Sequence, residues 1–268
     1  MLSITDLQFK YDGNSILNGL NLEVEKGELI GIVGPNGSGK TTFLRLISGV
    51  LSPDFGSIKL CELDNHHLKP SQRAKLLAVV PQNGRPPLNF SVQDIVFMGR
   101  NPYRKFLRSE TEHDIDAVNW AMRVTNISHL ATRNLASISG GEIQRTLVAM
   151  ALAQKTPVLL MDEPTSSLDL AYQTDIMEIL RGLCQEHEVS ILVATHDLIL
   201  AARYCNHLVM LAGEDGYIQG SPSQVLTSEN IHRVYGTEAH VIEHPVEGVP
   251  IVLPVSNREG RNLKSRNI

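Results

Sequence analysis

The chain has 268 residues, a formal net charge of −5 and an apolar fraction of 42%. This length and apolar content allow one large domain with its own core, and the acidic balance does not support a nucleic-acid-binding face. The three cysteines, Cys61, Cys184 and Cys205, are far apart and odd in number, which predicts reduced core thiols in a cytosolic protein.

The composition of the first residues predicts no secretory signal, and no apolar run approaches the roughly 20 residues that a membrane-spanning helix needs. We therefore expect another chain to supply any membrane-spanning segments.

The first 33 residues predict strands. Apolar and polar side chains alternate over 2–9 and again over 20–24, with glycine and asparagine between the two runs. A period of two is typical of an antiparallel sheet. A short apolar strand at 29–33 follows, then a glycine-rich loop, and we expect a helix over 40–50.

The loop reads Gly34-Pro-Asn-Gly-Ser-Gly-Lys-Thr41 and fits the GxxxxGK[ST] phosphate-loop pattern. Glycines let successive backbone N–H groups curl around a phosphate, and the following helix N-terminus adds a favourable dipole. Lys40 is expected to reach the β and γ phosphates of a nucleotide, and Thr41 to bind Mg²⁺. The predicted nucleotide contacts in this loop are Gly34, Asn36, Gly37, Ser38, Gly39, Lys40, Thr41 and Thr42.

Later in the chain, short apolar strands alternate with helical patterns, one of which places Tyr172, Ile176 and Leu180 on a single stripe. Alternation of this kind predicts a mostly parallel sheet covered on both faces. The predicted strands are 77–80, 158–161 and 191–194. Strand signals stop between 82 and about 153, so we expect a helical subdomain, at about 88–153, inserted into the α/β core. Its helical stretches are 91–99, 110–124 and 140–153.

The strand at 158–161 ends in two carboxylates, Asp162 and Glu163. In a doubly wound sheet this end of a strand lies beside the phosphate loop. Asp162 therefore suits the Mg²⁺ shell, and Glu163 suits a base that orients or deprotonates water. Taken alone, such a pair is equally consistent with a helix-capping acid.

Ser139-Gly-Gly-Glu142 opens a helical stretch with the S-x-x-E spacing of a capping box. The residues alone favour a well-capped helix. The alternative is a phosphate-binding helix N-terminus that Gly140 and Gly141 leave bare.

The phosphate loop, the Ser139–Glu142 segment and the Asp162–Glu163 pair, in this order, resemble the ATP-binding-cassette (ABC) ATPases, and the likeness covers nearly the whole chain. Ile138 stands where the family usually has leucine. Further positions match smaller family landmarks, although each alone could be an ordinary strand tyrosine, loop residue or helix cap. They are Tyr11 for adenine stacking, Gln82 of the Q-loop, Asp169 of the D-loop and the switch histidine His196.

The resemblance implies an α/β fold: a P-loop NTPase core with a mostly parallel sheet, an N-terminal antiparallel β subdomain and the inserted helical subdomain. The ABC ATPase domain would span 1–255, before a flexible tail at 256–268. The ligands implied are ATP and Mg²⁺, the ion held by Thr41, Gln82 and Asp162. The catalytic residues implied are Glu163, His196 and Gln82.

The resemblance also implies a homodimer in which Ser139, Gly140 and Gly141 of one copy close over the ATP held by the other, with Asp169 linking the two sites. The partners implied are two permease subunits in the membrane and, indirectly, a substrate-binding protein, with no nucleic acid. The chain would be peripheral, at the cytoplasmic face of the inner membrane.

Two segments, 90–103 and 244–254, resemble the import subunits for iron–siderophore, haem and cobalamin complexes, to which molybdate importers are related. We expect uptake of a metal-containing substrate; the alternative is a soluble ABC ATPase of iron–sulphur assembly. A basic stretch predicts a solvated loop or, alternatively, a surface facing the permease or lipid headgroups. Its residues are Arg100, Tyr103, Arg104, Lys105, Phe106 and Arg108.

His240-Val-Ile-Glu-His244 matches a metallopeptidase pattern that requires a helix. Two β-branched residues and the following Pro245 predict a strand or turn instead, and hence no zinc site.

Overall fold

We describe a computed structural model of the chain for residues 1–82, 84, 86–104, 110–166 and 168–255. The predicted tail at 256–268 lies outside them. The strands are β1 (Leu2–Tyr11), β2 (Asn14–Val24), β3 (Leu29–Val33), β4 (Phe55–Leu60), β5 (Leu63–Asp64), β6 (Leu77–Val80), β7 (Val158–Asp162), β8 (Ser190–Ala194), β9 (His207–Leu211), β10 (Tyr217–Gly220), β11 (Ala239–Glu243) and β12 (Pro250–Pro254). The α-helices are α1 (Lys40–Ile47), α2 (Pro70–Arg73), α3 (Val92–Met98), α4 (Glu112–Val124), α5 (Gly140–Ala153), α6 (Leu170–His187), α7 (Leu198–Tyr204), α8 (Pro222–Val225) and α9 (Ser228–Tyr235). Short 3₁₀ turns lie at Asn65–His67, Asn101–Tyr103, Ser128–Leu130, Leu135–Ser137 and Gly213–Asp215.

The central sheet has the strand order β10-β9-β3-β8-β7-β6, and all its strands except β10 are parallel. Strands β3, β7 and β8 are buried at every residue, because the sheet is covered on both faces. The carboxyl ends of the parallel strands meet at one edge. The predicted α/β fold is confirmed, and this edge is where the chemistry-bearing residues gather.

Two apolar layers flank the sheet. On one side α1 and the antiparallel sheet β2-β1-β4-β5 enclose Phe43, Leu46 and Ile47 with the first strands. On the other side α6, α7 and the inserted helices cover the opposite faces of the same strands. The strands predicted near the N-terminus therefore form an antiparallel subdomain that braces the helix behind the phosphate loop.

The three helices predicted between β6 and β7 are confirmed as α3, α4 and α5. Each begins with a capping box, in which an N-cap hydroxyl accepts from the third helical N–H and the third side chain accepts from the N-cap N–H. Helix α1 ends at Ile47, earlier than predicted. Gly49 follows with a φ of +69°, a conformation that glycine favours and that terminates helices.

The prediction for the basic stretch was wrong at Arg100. Its side chain is buried, with Nε 2.8 Å from Asp114 Oδ1 and Nη1 2.7 Å from the Ala153 carbonyl oxygen. The guanidinium also lies 4.1 Å from the centre of the Tyr103 ring. A buried guanidinium needs such partners, so Arg100 joins α4 and α5 rather than facing solvent. Lys105, Phe106 and Arg108 lie outside the described residues.

Replacing Asp114 with asparagine is expected to lower the free energy of unfolding by about 3 kcal/mol at pH 7, since it leaves Arg100 buried without its counter-charge. Hydrogen bonds from Thr111 and Arg100 hold the pKa of Asp114 at about 2, below its ordinary value. The Asp114 carboxylate therefore contributes its full stabilisation above about pH 4, and this contribution is lost as the pH falls towards the pKa of Asp114 in the folded protein.

Urea unfolding of both proteins at pH 7 and at pH 2 measures this difference, which should shrink in acid. Asp116→Asn, at an exposed position on the same helix, should match the unmodified chain. A loss of equal size at both pH values would contradict the pairing.

The C-terminal part ends in an antiparallel hairpin, β11 with β12. Four of the five residues of the H-x-x-E-H pattern lie in strand β11, as predicted. The described residues hold no group of three or more potential metal-binding His, Cys, Asp or Glu side chains. No helix among them is both long and apolar enough to span a bilayer.

Only two of the cysteines are core thiols. Cys184 and Cys205 are buried, and burial raises the pKa of Cys184 to about 12. Cys61 is half-buried, with a left-handed φ of +49° just after β4.

Candidate active site

The glycine loop between β3 and α1 is shaped by its close neighbours. A Cβ on Gly34 would lie 2.5 Å from the Leu211 carbonyl oxygen and 2.6 Å from Ser38 Oγ. Gly37 and Gly39 have φ values of +84° and +101°, which favour glycine. The loop can therefore curl tightly, with Gly39 as the residue before α1.

The Lys40 side chain bridges this loop. Its Nζ donates to the carbonyl oxygens of Gly34 at 2.8 Å and Pro35 at 3.0 Å. Burial lowers the pKa of the ammonium group, and the nearby carboxylates of Glu163 and Asp162 oppose that shift. A positive charge thus lies at the mouth of the loop, where backbone N–H groups of the helix start also gather.

Two buried oxygens at this mouth have no hydrogen-bond partner within the described residues, Ser38 Oγ and Asp162 Oδ1. Burial raises the pKa of Asp162, while a hydrogen bond with the Thr41 side chain lowers it. Buried polar atoms are nearly always paired in folded proteins. The orphaned oxygens therefore fit a phosphate at Ser38 and a hard cation at Asp162, beside the Thr41 hydroxyl.

Glu163 brings together residues from three separate loops. Its Oε2 accepts from Gln82 Nε2 at 2.6 Å and lies 3.5 Å from His196 Nδ1. The backbone at Glu163 has a φ of +49°, uncommon for a residue with a side chain, and its N–H donates to the Ala194 carbonyl oxygen at 2.9 Å. This strained turn directs the carboxylate to the site edge. The sequence predicted neither the strain nor the direct contact with Gln82.

His196 is not a helix cap, because Asp197 caps α7 by accepting from the N–H groups of Ile199 and Leu200. The imidazole is instead 57% exposed beside Glu163. Tyr11 ends β1 and is 44% exposed as a residue, and its ring meets the Phe9 ring edge-to-face at 5.2 Å. Tyr11 therefore presents open aromatic surface, as an adenine platform requires.

The capping box predicted at Ser139 is present: Ser139 Oγ accepts from the Glu142 N–H and Glu142 accepts from the Ser139 N–H. The open helix end of the alternative interpretation is present only at Gly140, where an added Cβ would meet no described atom within 4 Å. At Gly141 a Cβ would lie 2.5 Å from Cδ1 of Tyr172. The Tyr172 ring on α6 covers Gly141, so that glycine is required by packing.

Asp169 caps α6, accepting from the Tyr172 N–H at 3.0 Å, and its side chain is exposed. Tyr172 therefore lies between Asp169 and Gly141 and connects the two predicted dimer-contact segments. The helical spacing predicted the position of Tyr172 on its stripe, but that pattern does not indicate which residue its ring contacts.

Comparisons with known proteins identify a family and several relatives of this chain. Residues 17–166 match the family model described as ABC transporter. The cobalamin import ATP-binding protein of Halobacterium salinarum is 38% identical over 96% of this chain. The chain spans only 64% of that relative's length.

The ferric enterobactin transport ATP-binding protein of Escherichia coli is 36% identical, with 93% of this chain and 92% of that protein covered. Among solved structures, a metal-chelate-type ABC transporter in an inward-facing conformation superposes with a TM-score of 0.83 at 29% identity. That match covers 95% of this chain and 97% of the other.

Proposed function

This chain belongs to the ABC transporter family, and from that premise we propose that it is the ATP-binding and ATP-hydrolysing subunit of an importer. The cargo would be a metal-containing substrate of the iron–siderophore, haem, cobalamin or molybdate type, taken up through a membrane permease. The observation that carries the proposal is the Glu163 carboxylate held between Gln82 and His196, beside the Lys40 loop. The named transport roles of the relatives support import over a soluble iron–sulphur assembly role.

The phosphate loop would hold the triphosphate of ATP, with Tyr11 stacking on the adenine. Lys40 would exchange the Gly34 and Pro35 carbonyl oxygens for phosphate oxygens, because a charge-assisted hydrogen bond to an anion is roughly twice as strong as a neutral one. Ser38 Oγ, which is buried and has no hydrogen-bond partner among the described residues, would then find one. The loop residues assigned this role are Gly34, Asn36, Gly37, Ser38, Gly39, Lys40, Thr41 and Thr42.

The residues around Asp162 fit Mg²⁺, which would be held by Thr41, Asp162 and Gln82. When bound, the ion neutralises charge on the phosphates. Asp162 supplies Oδ1, which has no hydrogen-bond partner in the part of the chain that the structure describes, and the Thr41 hydroxyl adjoins the same carboxylate. A cation at this position would favour the ionised carboxylate against the effect of burial.

Glu163 would act on the attacking water as a base or orienting group. Its polar side-chain contacts with Gln82 and His196, the two found among the described residues, are made by Oε2, so Oε1 is the oxygen placed to meet water. Gln82 fixes the carboxylate from one side, and the exposed imidazole of His196 is free to reach the γ-phosphate. Positioning of this kind supplies much of the catalysis in phosphoryl transfer.

Two copies would bind two ATP molecules at their interface, with Ser139, Gly140 and Gly141 of one copy closing over the γ-phosphate held by the other. Asp169 would link the sites. The domain would comprise 1–255 with a helical subdomain at about 88–153. The dimer would lie at the cytoplasmic face of the membrane on two permease subunits, with a substrate-binding protein acting indirectly and no nucleic acid involved.

The permease contact we assign is a groove of about 430 Å³ on α3 and the segments beside it. Apolar rings and a thioether line it, with charged side chains around them, as is common at protein interfaces. Phe90 is 38% exposed there, close in sequence to Gln82. The lining residues are Phe90, Gln93, Asp94, Phe97, Met98, Asn101, Arg104 and Glu110.

A pull-down from detergent-solubilised membranes of the source cells tests both the function and this surface. The tagged chain should retain a permease, which mass spectrometry identifies. Phe90→Asp should lower the amount of permease recovered by at least about tenfold, because burying a charge in an apolar contact is costly. ATP hydrolysis by the isolated Phe90→Asp subunit should be unchanged.

Phe55→Asp is the matched control, since Phe55 is 60% exposed on β4, outside the groove. Recovery of a soluble assembly factor in place of a permease would overturn the importer proposal. Equal permease recovery with Phe90→Asp would overturn only the surface. A binding protein encoded beside the permease would then be tested with iron chelates, haem, cobalamin and molybdate.

A further inference from the structure

The aromatic ring of Tyr172, in the first turn of α6, lies directly against the start of α5. A Cβ on Gly141 would lie 2.5 Å from Cδ1 of that ring and 2.8 Å from both Cγ and Cε1. Only a residue without a side chain allows so close an approach. Glycine inside a helix costs stability relative to alanine, so the contact is made against the preference of the helix. The ring contact therefore calls for an explanation beyond helix formation.

Arg145 extends this contact by one helical turn. It follows Gly141 by four residues, which places both on one side of α5. Its guanidinium carbon lies 5.4 Å from the centre of the Tyr172 ring, within the range of a cation–π interaction. Nη2 of Arg145 donates to Asp175 Oδ2 at 2.5 Å, and Asp175 lies one turn beyond Tyr172 on α6. Two positions on α5 are thus fixed against two positions on α6.

The first turn of α6 also holds the N-cap of that helix. Asp169 Oδ1 accepts from the Tyr172 N–H at 3.0 Å, so the backbone of Tyr172 fixes Asp169 while its ring fixes the start of α5. The start of α5 is the open helix end at Gly140, next to Ser139. One residue therefore contacts both segments that the proposed dimer would present to the partner copy.

We propose that Tyr172 is a positioning residue for ATP-dependent dimer formation: it holds the open end of α5 and the Asp169 cap of α6 in one fixed arrangement, so that both reach the partner copy together. This role rests on the proposed function. Without the ring, each segment would have to be ordered separately when the dimer forms, and the entropy lost in that ordering would weaken the dimer. Nucleotide binding to a single copy through the phosphate loop would not change.

The test replaces Tyr172 with alanine in the Glu163→Gln background, in which ATP hydrolysis is blocked. Sedimentation over a range of protein concentrations measures the dissociation constant of the ATP-bound dimer. That constant should rise about tenfold, since each dimer contains two such contacts and each is worth about threefold. The Kd for ADP, measured on the single copy, should be unchanged. Tyr172→Phe, which keeps the ring, should form the dimer as tightly as the Glu163→Gln chain does.

Trp120→Ala is the matched control. The Trp120 ring on α4 is likewise half-buried, and its centre lies 3.0 Å from Lys155 Nζ in a second cation–π pair. This change should lower the melting temperature and leave the dimer dissociation constant unchanged. A Tyr172→Ala chain that lost only thermal stability would show that the ring is purely structural, and a loss of equal size in Tyr172→Phe would show that the ring contact is not the cause.

Asp175→Asn keeps the proposal testable if Tyr172→Ala does not fold. It leaves the ring in place and removes the charge that holds Arg145, so the same dissociation constant should rise about threefold. No change in that constant would count equally against the proposal. If Glu163→Gln bound ATP but formed no dimer, the proposed dimer would fail and the role of Tyr172 with it. A chain that bound no ATP at all would instead overturn the proposed ATPase function.

Discussion

Replacing Glu163 with glutamine should slow ATP hydrolysis by at least about 100-fold, the contribution typical of a positioned general base. Glutamine keeps an oxygen that can accept from Gln82 Nε2, so the contact seen at 2.6 Å can survive. Basicity and negative charge are what the change removes. The variant should therefore bind ATP normally and accumulate as an ATP-bound dimer, because ATP hydrolysis, which would let the two copies separate, is blocked.

Phosphate release under saturating ATP measures the rate, and size-exclusion chromatography with and without ATP measures the dimer. Glu188→Gln, at the exposed C-terminal end of the long helix α6, provides the control and should behave as the unmodified chain. A normal hydrolysis rate in Glu163→Gln would show that the base is misassigned and that the carboxylate only holds Gln82 and His196 in place.

Much of the fold could be predicted because its signals are local. Apolar runs of four or five residues predicted β3, β6, β7 and β8, and their alternation with helical spacing predicted a parallel sheet. That sheet in turn predicted that Asp162 and Glu163 would lie beside the glycine loop. The prediction succeeded because parallel strands bring their carboxyl ends to one edge irrespective of their separation in sequence.

The features that could not be predicted depend on contacts between distant residues. The basic residues that follow Arg100 predict a stretch facing solvent, the permease or lipid, whereas the buried partner of Arg100, Asp114, lies 14 residues further on. The Tyr172 ring over Gly141 joins two helices whose packing angle no periodicity gives. The left-handed backbone at Glu163 is likewise imposed by its surroundings, since glutamate does not favour it.

Replacing the two glycines of the Ser139–Glu142 segment with alanine should have different effects: the change at Gly140 should slow ATP hydrolysis, and the change at Gly141 should lower stability. The methyl group of Gly140→Ala would meet no atom of the described residues within 4 Å, so the protein should fold as stably as before or slightly more stably. Its hydrolysis rate should nevertheless fall about tenfold or more, because a methyl group there would block the phosphate held by the partner copy. ATP-dependent dimer formation should weaken in parallel.

Gly141→Ala should instead destabilise the chain, by about 1–3 kcal/mol, because its methyl group overlaps the Tyr172 ring. Gly141→Ala combined with Tyr172→Ala should cost less than the sum of the two single changes, since the ring that causes the overlap is gone. Thermal unfolding of the four proteins measures this coupling. If Gly140→Ala hydrolysed ATP at the normal rate, the open helix end would be no phosphate contact, and the segment would be only the well-capped helix that its residues alone favour.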